Sequence, residues 1–423
     1  MRDQDKRTGI SGQNPKGSVG AEAVQQTDGT AAPEALDITV LPNITPENYG
    51  KVLNRPSRDA AGREEKVRQI IHKIEEGGDG ALREICLEID GQAPPDFEIP
   101  RRVLKQAARD VDEHLKNAIQ QAMANIRRFH EAQLPDPVSM ETMPGVRCSI
   151  RYLPIERVGL YIPGGTAPLL STVLMTVIPA TIAGCKEIIA CTPPGASPEL
   201  LFTLSLFDIR VFAIGGAQAI AAMAFGTESL PGVDKIFGPG NAWVTSAKMQ
   251  LAGRGLAIDM PAGPSEVMVI ADNTANPAYV ASDLLSQAEH GDDSQVILLA
   301  DNMEMIHQTI TEINKQLESL SRRETARRAL RYALAICVTG IDQALEISNY
   351  YGPEHLILSV QDASGHAERV TNAGSVFLGN YSPESAGDYA SGTNHTLPTG
   401  GASRAWSGIT TAAFMKSITT QEI

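Results

Sequence analysis

The residues of this 423-residue chain whose types and spacing could do chemistry fall into three polar clusters. The first is "LLSQAEH", 284–290, which closes a run with helical spacing and places Gln287 and His290 three residues apart, just before the breaker "GDD". Positions i and i+3 share a helix face. The spacing therefore predicts an amide and an imidazole pointing the same way from a helix end, though an ordinary polar terminus carries the same pattern. The second cluster, "NYYGPEHLIL", sets Glu354 and His355 side by side just before a strand. An adjacent acid and base can move protons and activate water; a polar loop leading into a strand reads the same way. The third, "SPESAGDYASGTNHTLPTGG", is a long turn segment holding Asp388 and His395, of the kind that often carries site residues. Gln287, His290 and Asp388, if brought together, make a set of N and O ligands for a divalent ion, suited to zinc with an open position.

The elements that position these clusters are legible as a change of pattern along the chain. Residues 1–36 lack periodicity and read as a disordered tail. Residues 37–150 read as a helical region: "SRDAAGREEKVRQIIHKIEEGGDGALREICLEIDG" gives two amphipathic helices broken at Gly-Gly, and 99–134 gives one long helical stretch. From about residue 150, short apolar strands alternate with helices: "RVGLYIP", a buried helix over 169–184, "EIIACTP", a helix near 196–207, "RVFAIGG" and "AQAIAAMAFG". The cycle restarts with "VDKIFGPGN", "AWVTSAKMQLAG", "EVMVIAD", the helix ending at His290 and "SQVILLAD". Alternation of this kind predicts an α/β fold with mainly parallel pairing, in a first module over 151–255 and a second over 256–400 that holds all three polar clusters, with 401–423 as a C-terminal remnant.

In open parallel sheets, ligands bind at the carboxyl ends of strands. Four glycine-rich turns follow strands here: "YIPGGTAP", "AIGGAQAI", "FGPGNAW" and "DMPAGPSE". Glycine lets a ligand approach the backbone, and a following helix N-terminus offers free N–H groups. None of the four is a full G-x-G-x-x-G, so each alone reads as a plain turn and the four together point to a phosphate-bearing ligand. A net charge of −14, with 5% aromatic residues, argues against nucleic acid as a partner. The five cysteines, with no C-x-x-C pair, read as small buried hydrophobes of a reducing, cytoplasmic compartment, and no stretch reads as a secretion signal or membrane span.

Five segments, in order, resemble the histidinol dehydrogenase family: "GLYIPGGTAPLLSTVLMTVIPATIAGCKEI", "IGGAQAIAAMAFGTESLPGVDKIFGPGN", "IDMPAGPSEVMVIADNTANPAYVASDLLSQAEH", "YYGPEHL" and "SAGDYASGTNHTLPTG". The resemblance spans roughly residues 40–423. It implies two incomplete Rossmann-like modules with helical additions, an intertwined homodimer, and a zinc-dependent, NAD-linked four-electron oxidation of L-histidinol to L-histidine by way of L-histidinaldehyde. By matching positions it implies Gln287, His290 and Asp388 as zinc ligands, Glu354 as the residue that activates water and His355 as the general base. Ser265, with Gln287, His290, His355 and Asp388, would hold the substrate; Tyr161, Gln218 and Asn241 would hold the cofactor. The family continues into a further helical segment carrying another zinc-binding His and a substrate-binding Glu that reach the partner subunit's site. This chain ends at "FMKSITTQEI" with no residue at either position, which reads as a C-terminally shortened member with weaker zinc and substrate grip. A related dehydrogenase of another small amino alcohol or polyol, and an inactive homologue serving as a binding protein, are the other readings of that ending.

Overall fold

The computed structural model of the chain describes residues 36, 38–56, 61–164, 169–261 and 263–423. The tail expected over 1–36 lies outside the described residues, apart from Leu36, which packs against the core. The strands, in chain order, are β1 Thr39–Leu41, β2 Val138–Met143, β3 Val146–Pro154, β4 Arg157–Tyr161, β5 Glu187–Thr192, β6 Arg210–Ala213, β7 Lys235–Phe237, β8 Ala257–Ile258, β9 Glu266–Ala271, β10 Gln295–Ala300, β11 Leu334–Cys337, β12 His355–Ser359, β13 Ser375–Leu378 and β14 Met415–Glu422.

They form two parallel sheets and one antiparallel sheet. The first parallel sheet runs β6-β5-β4-β7-β8, and the second β1-β11-β10-β9-β12-β13. Numbered within itself, each reads 3-2-1-4-5, the strand order of half or more of a dinucleotide-binding sheet. The second adds β1 at its edge. The repetition that is faint in the residues is thus plain in the topology, and the Rossmann-like α/β expectation holds. Both faces of each sheet are covered, which is why the central strands are continuous apolar runs. In β9, Val267, Val269 and Ala271 enter one core while Met268 and Ile270 enter the other. In β5, Ile188 and Ala190 face one core, and Ile189 and Cys191 the opposite one.

The helical pattern ahead of the sheets breaks where backbone chemistry requires it. The stretch Ala61–Asp90 kinks at Gly78, whose φ of 49° is open to glycine at little cost, as the Gly-Gly pair predicts. The single long helix expected over 99–134 is two helices instead. Val111 is extended, and the Asp112 side chain accepts from the His114 and Leu115 amides, starting a new helix, Glu113–Glu131. The antiparallel sheet β14-β3-β2 is a feature the alternation does not predict. All five cysteines are free thiols; Cys86 and Cys191 are buried, and Cys148, Cys185 and Cys337 half-buried. No helix among the described residues is long and apolar enough to cross a membrane.

Ahead of β14, Phe414 is fully buried and stacks on Phe237 with ring centroids 3.9 Å apart. Its carbonyl accepts from the Ile155 amide at 2.9 Å, tying the end of the chain to the first sheet. Phe414→Ala is expected to cost about 3–5 kcal/mol of unfolding free energy. Chemical denaturation checks this, and a cost below about 1 kcal/mol would show that the ring is not an anchor.

Candidate functional site

The second sheet meets the polar clusters at the amino ends of its strands, not at the carboxyl ends that the general rule predicts. Ser265, Ser294 and Glu354 immediately precede β9, β10 and β12, and His355 is the first residue of β12. The helix Pro277–Ala288 brings Gln287 to the same end because it runs back from the far edge of β9 to the start of β10.

Glu266 holds the acid–base pair in place through its own backbone. Its N–H donates to Glu354 Oε2 at 2.9 Å, and its carbonyl oxygen lies 3.1 Å from His355 Nδ1. A carbonyl oxygen only accepts, so Nδ1 carries the proton and Nε2 is turned to the site. The Glu266 side chain is locked in turn. Arg55 Nε donates to it at 2.5 Å and Nη2 at 3.1 Å, while the guanidinium also donates to the Tyr351 carbonyl and lies 3.8 Å from the Tyr351 ring centroid. Tyr351 donates its hydroxyl to Gln295 at 2.7 Å.

Asp388 arrives on the short helix Glu384–Tyr389, with its Oδ1 3.3 Å from His355 Nε2. That contact lacks the alignment of a hydrogen bond, so Nε2, although it faces the Asp388 charge, has no aligned hydrogen-bond partner among the described residues. Glu384, one turn before Asp388, completes a compact triad. Donor atoms of His355, Glu384 and Asp388 lie within 4.8 Å of one another, and all three residues are buried. Of the expected metal set this triad contains Asp388 alone. Gln287 reaches it through Glu384: with its amide nitrogen facing that carboxylate, it donates to both oxygens, and Ser286 Oγ donates at 3.2 Å. His290, at the exposed mouth, places Nδ1 2.8 Å from the Ser286 carbonyl, which likewise turns Nε2 outward. Sequence reading passed over Glu384, yet its i,i+4 spacing to Asp388 in "ESAGD" was the available signal.

His395 is placed by a proline. Pro179 inside the helix Leu170–Ala183 has no N–H for the Met175 carbonyl, and Asn394 Nδ2 donates to that carbonyl at 2.6 Å instead. His395 is thereby half-buried with Nε2 2.9 Å from Thr172 Oγ1, and loss of hydration pulls its pKa down.

The electrostatics are those of crowded carboxyls. Burial pushes Glu354 and Glu384 up to about 8 each, and Asp283 behind them to about 6. Burial alone would lower His355, but the charges of Glu384, Glu354 and Asp388 outweigh it and hold the imidazole well above its usual value. Asp388 ends below its ordinary value because the facing His355 outweighs its burial. A buried excess of carboxylate, with an unpartnered imidazole nitrogen among it, fits a divalent cation. Both histidines have Nδ1–H held by backbone carbonyls, as metal-binding imidazoles commonly do.

A cavity of about 780 Å³ opens beside this cluster, with Ser265, His290 and Ser294 on one wall and Gly240, Asn241 and Trp243 on the other. Asn241 follows β7 and caps the helix Ala242–Ala252, accepting from the Trp243 and Val244 amides. Tyr161 and Gln218 do not line it. Tyr161 is buried, with its hydroxyl accepting from the Gly216 amide at 3.0 Å, and burial raises it to about 12. Gln218 is buried and donates to Asp90 at 3.3 Å.

The Glu354 carboxyl titrates near 4.5 when exposed and at about 8 when folded, so the folded state holds its proton more tightly and stability falls as pH rises between those values. Glu354→Gln removes that penalty. The metal-stripped variant is expected to melt above wild type at pH of about 8, with the difference vanishing as pH falls to about 4.5. A variant melting at or below wild type at the higher pH would contradict the assignment.

The histidinol dehydrogenase family model matches residues 53–423. A histidinol dehydrogenase of Vibrio parahaemolyticus is 48% identical over 388 residues, covering 91% of this chain and 90% of that protein. A protein named as a histidine biosynthesis bifunctional protein, from Photorhabdus laumondii, is 52% identical over 381 residues, which are 89% of this chain and 47% of that longer one. A crystal structure of histidinol dehydrogenase from Elizabethkingia anophelis superposes with a TM-score of 0.89 at 45% identity, over 92% of this chain and 91% of that one. The chain belongs to the histidinol dehydrogenase family of oxidoreductases.

Proposed function

We propose that this chain oxidises L-histidinol to L-histidine through a bound L-histidinaldehyde, consuming water and two NAD+ and releasing two NADH and three protons. The observation that carries the reading is the Glu354–His355 pair, held on the Glu266 backbone beside a cation-fitting carboxylate cluster at the edge of a cleft. Gln287, His290 and Asp388 would hold Zn2+, with Glu384 close enough to share in it. Asn241 would meet NAD+ in the cleft, with Tyr161 and Gln218 supporting the same module from within. The two parallel sheets are taken as the two modules of the family, one for the cofactor and one for metal and acid–base chemistry. When bound, NAD+ supplies the hydride acceptor and Zn2+ supplies positive charge that holds the substrate's nitrogen atoms and offsets the carboxylates.

His355 is the base. Its Nε2, relieved of the carboxylate field that keeps it protonated, takes the alcohol proton as hydride leaves the carbon. Asp388 stabilises the imidazolium that forms. Ser265, at the cleft wall, orients the substrate beside β9. Glu354 then removes a proton from the water that attacks the aldehyde carbon, and its raised pKa suits it to exchange protons near neutrality. His355 takes the second hydroxyl proton as the second hydride departs. Burial of the pair keeps the aldehyde from bulk water between the two steps.

NADH absorbance with zinc-loaded protein and L-histidinol tests the reading, with two NADH per histidinol expected. His355→Asn is expected to lower kcat by at least about 100-fold. Glu354→Gln is expected to lower the yield from two NADH toward one, with aldehyde trapped by semicarbazide. Folded, zinc-loaded protein that turns over other amino alcohols but not histidinol, or nothing at all, would overturn it.

A further inference from the structure

A second network lies outside the acid–base cluster and beneath the other wall of the cleft. Lys248, on the helix Ala242–Ala252, and Asp259, just after β8, form an ion pair in which both side chains are almost wholly buried. The pair holds both backbone polar groups of one residue, Gly238, and so the two peptide groups that flank it. Asp259 Oδ2 accepts from the Gly238 N–H at 2.8 Å, and Lys248 Nζ donates to the Gly238 carbonyl at 3.0 Å. The other carboxylate oxygen of Asp259 accepts from the Met260 amide at 2.7 Å.

Gly238 opens the turn "GPGN" that ends at Asn241. Its φ of +116° lies in the region reserved for glycine, and a Cβ there would stand 2.1 Å from the Tyr161 carbonyl oxygen. The turn therefore sits in a conformation that disfavours side chains, pressed against the end of β4, with the N–H and the carbonyl of its first residue both held by buried charges. A buried ion pair is weak as a source of stability, because desolvation offsets most of its attraction. What this one supplies is direction. It fixes the backbone of Gly238, three residues before Asn241, and Gly240 and Asn241 line the same cleft as Ser265 and His290.

We propose that Lys248 and Asp259 are positioning residues for the dinucleotide, holding the 238–241 turn preformed so that NAD+ meets an ordered wall. The inference rests on the reading of this cleft as the NAD+ site. Neither side chain lines the cleft or touches the acid–base cluster, so they act through the turn.

The test is the double variant Lys248→Met, Asp259→Asn, which removes both charges together and keeps an acceptor for the Gly238 amide. In zinc-loaded full-length protein, calorimetric titration with NAD+ is expected to show a dissociation constant raised about tenfold or more, with histidinol affinity within about twofold of wild type. A folded variant binding NAD+ as wild type does overturns the proposal. Should the variant not fold, hydrogen exchange on wild type decides: the amides of Gly238 and of residues 240–243 protected equally with and without NAD+ support a preformed turn, and protection that appears only with NAD+ overturns it. Wild type that binds no NAD+ overturns the cofactor reading, and this inference with it.

Discussion

Four carboxyl groups, those of Asp283, Glu354, Glu384 and Asp388, act on one another within a buried volume, and His355 is the principal opposing charge inside it. Water solvates such groups far better than protein does, so the cluster costs stability unless protons or a cation neutralise it. Without a cation, protons do so: Glu354 and Glu384 keep theirs to about 8, and His355 stays charged. On the proposed zinc reading, a bound cation would release those protons and free the imidazole to act. One electrostatic imbalance thereby links metal affinity, base strength and the stability of the second sheet. It also gives a reason for the Glu266 side chain to be held by Arg55, which Tyr351 holds in turn. Carboxyls that repel one another stay in register only if the strand beneath them cannot move.

The two sheets share a strand order but present opposite ends to the cleft. The first offers the turn after β7, at its carboxyl end, where glycine and a helix N-terminus suit a dinucleotide. The second offers the amino ends of β9, β10 and β12, where side chains rather than backbone amides dominate. On the proposed function, a repeated fold would serve two tasks, binding by backbone on one side and acid–base chemistry by side chain on the other.

Local features were legible in the sequence. The alternation of strand and helix, the Gly77–Gly78 break and the adjacency of Glu354 and His355 rest on short-range spacing, and the structure has them in place. The antiparallel sheet was not legible, because pairing of β3 with β14 depends on contacts between residues more than two hundred positions apart. Arg55 reaches Glu266 across a similar separation, and nothing near Arg55 in the sequence marks it. The rule that sites lie at carboxyl ends misplaced the second sheet's contribution, since it describes helix N-termini binding anions and this cluster is itself anionic. Pro179 and Asn394 were each visible, but that one leaves a carbonyl for the other to take is a fact of three dimensions.

The most direct test of the account is anomalous scattering at the zinc edge from crystals of this chain grown with zinc. The account predicts one strong peak among Gln287, His290, His355, Glu384 and Asp388, at about 2.0–2.2 Å from an Asp388 oxygen. Zinc found elsewhere on the protein, with Asp388 still paired only to His355, would contradict it.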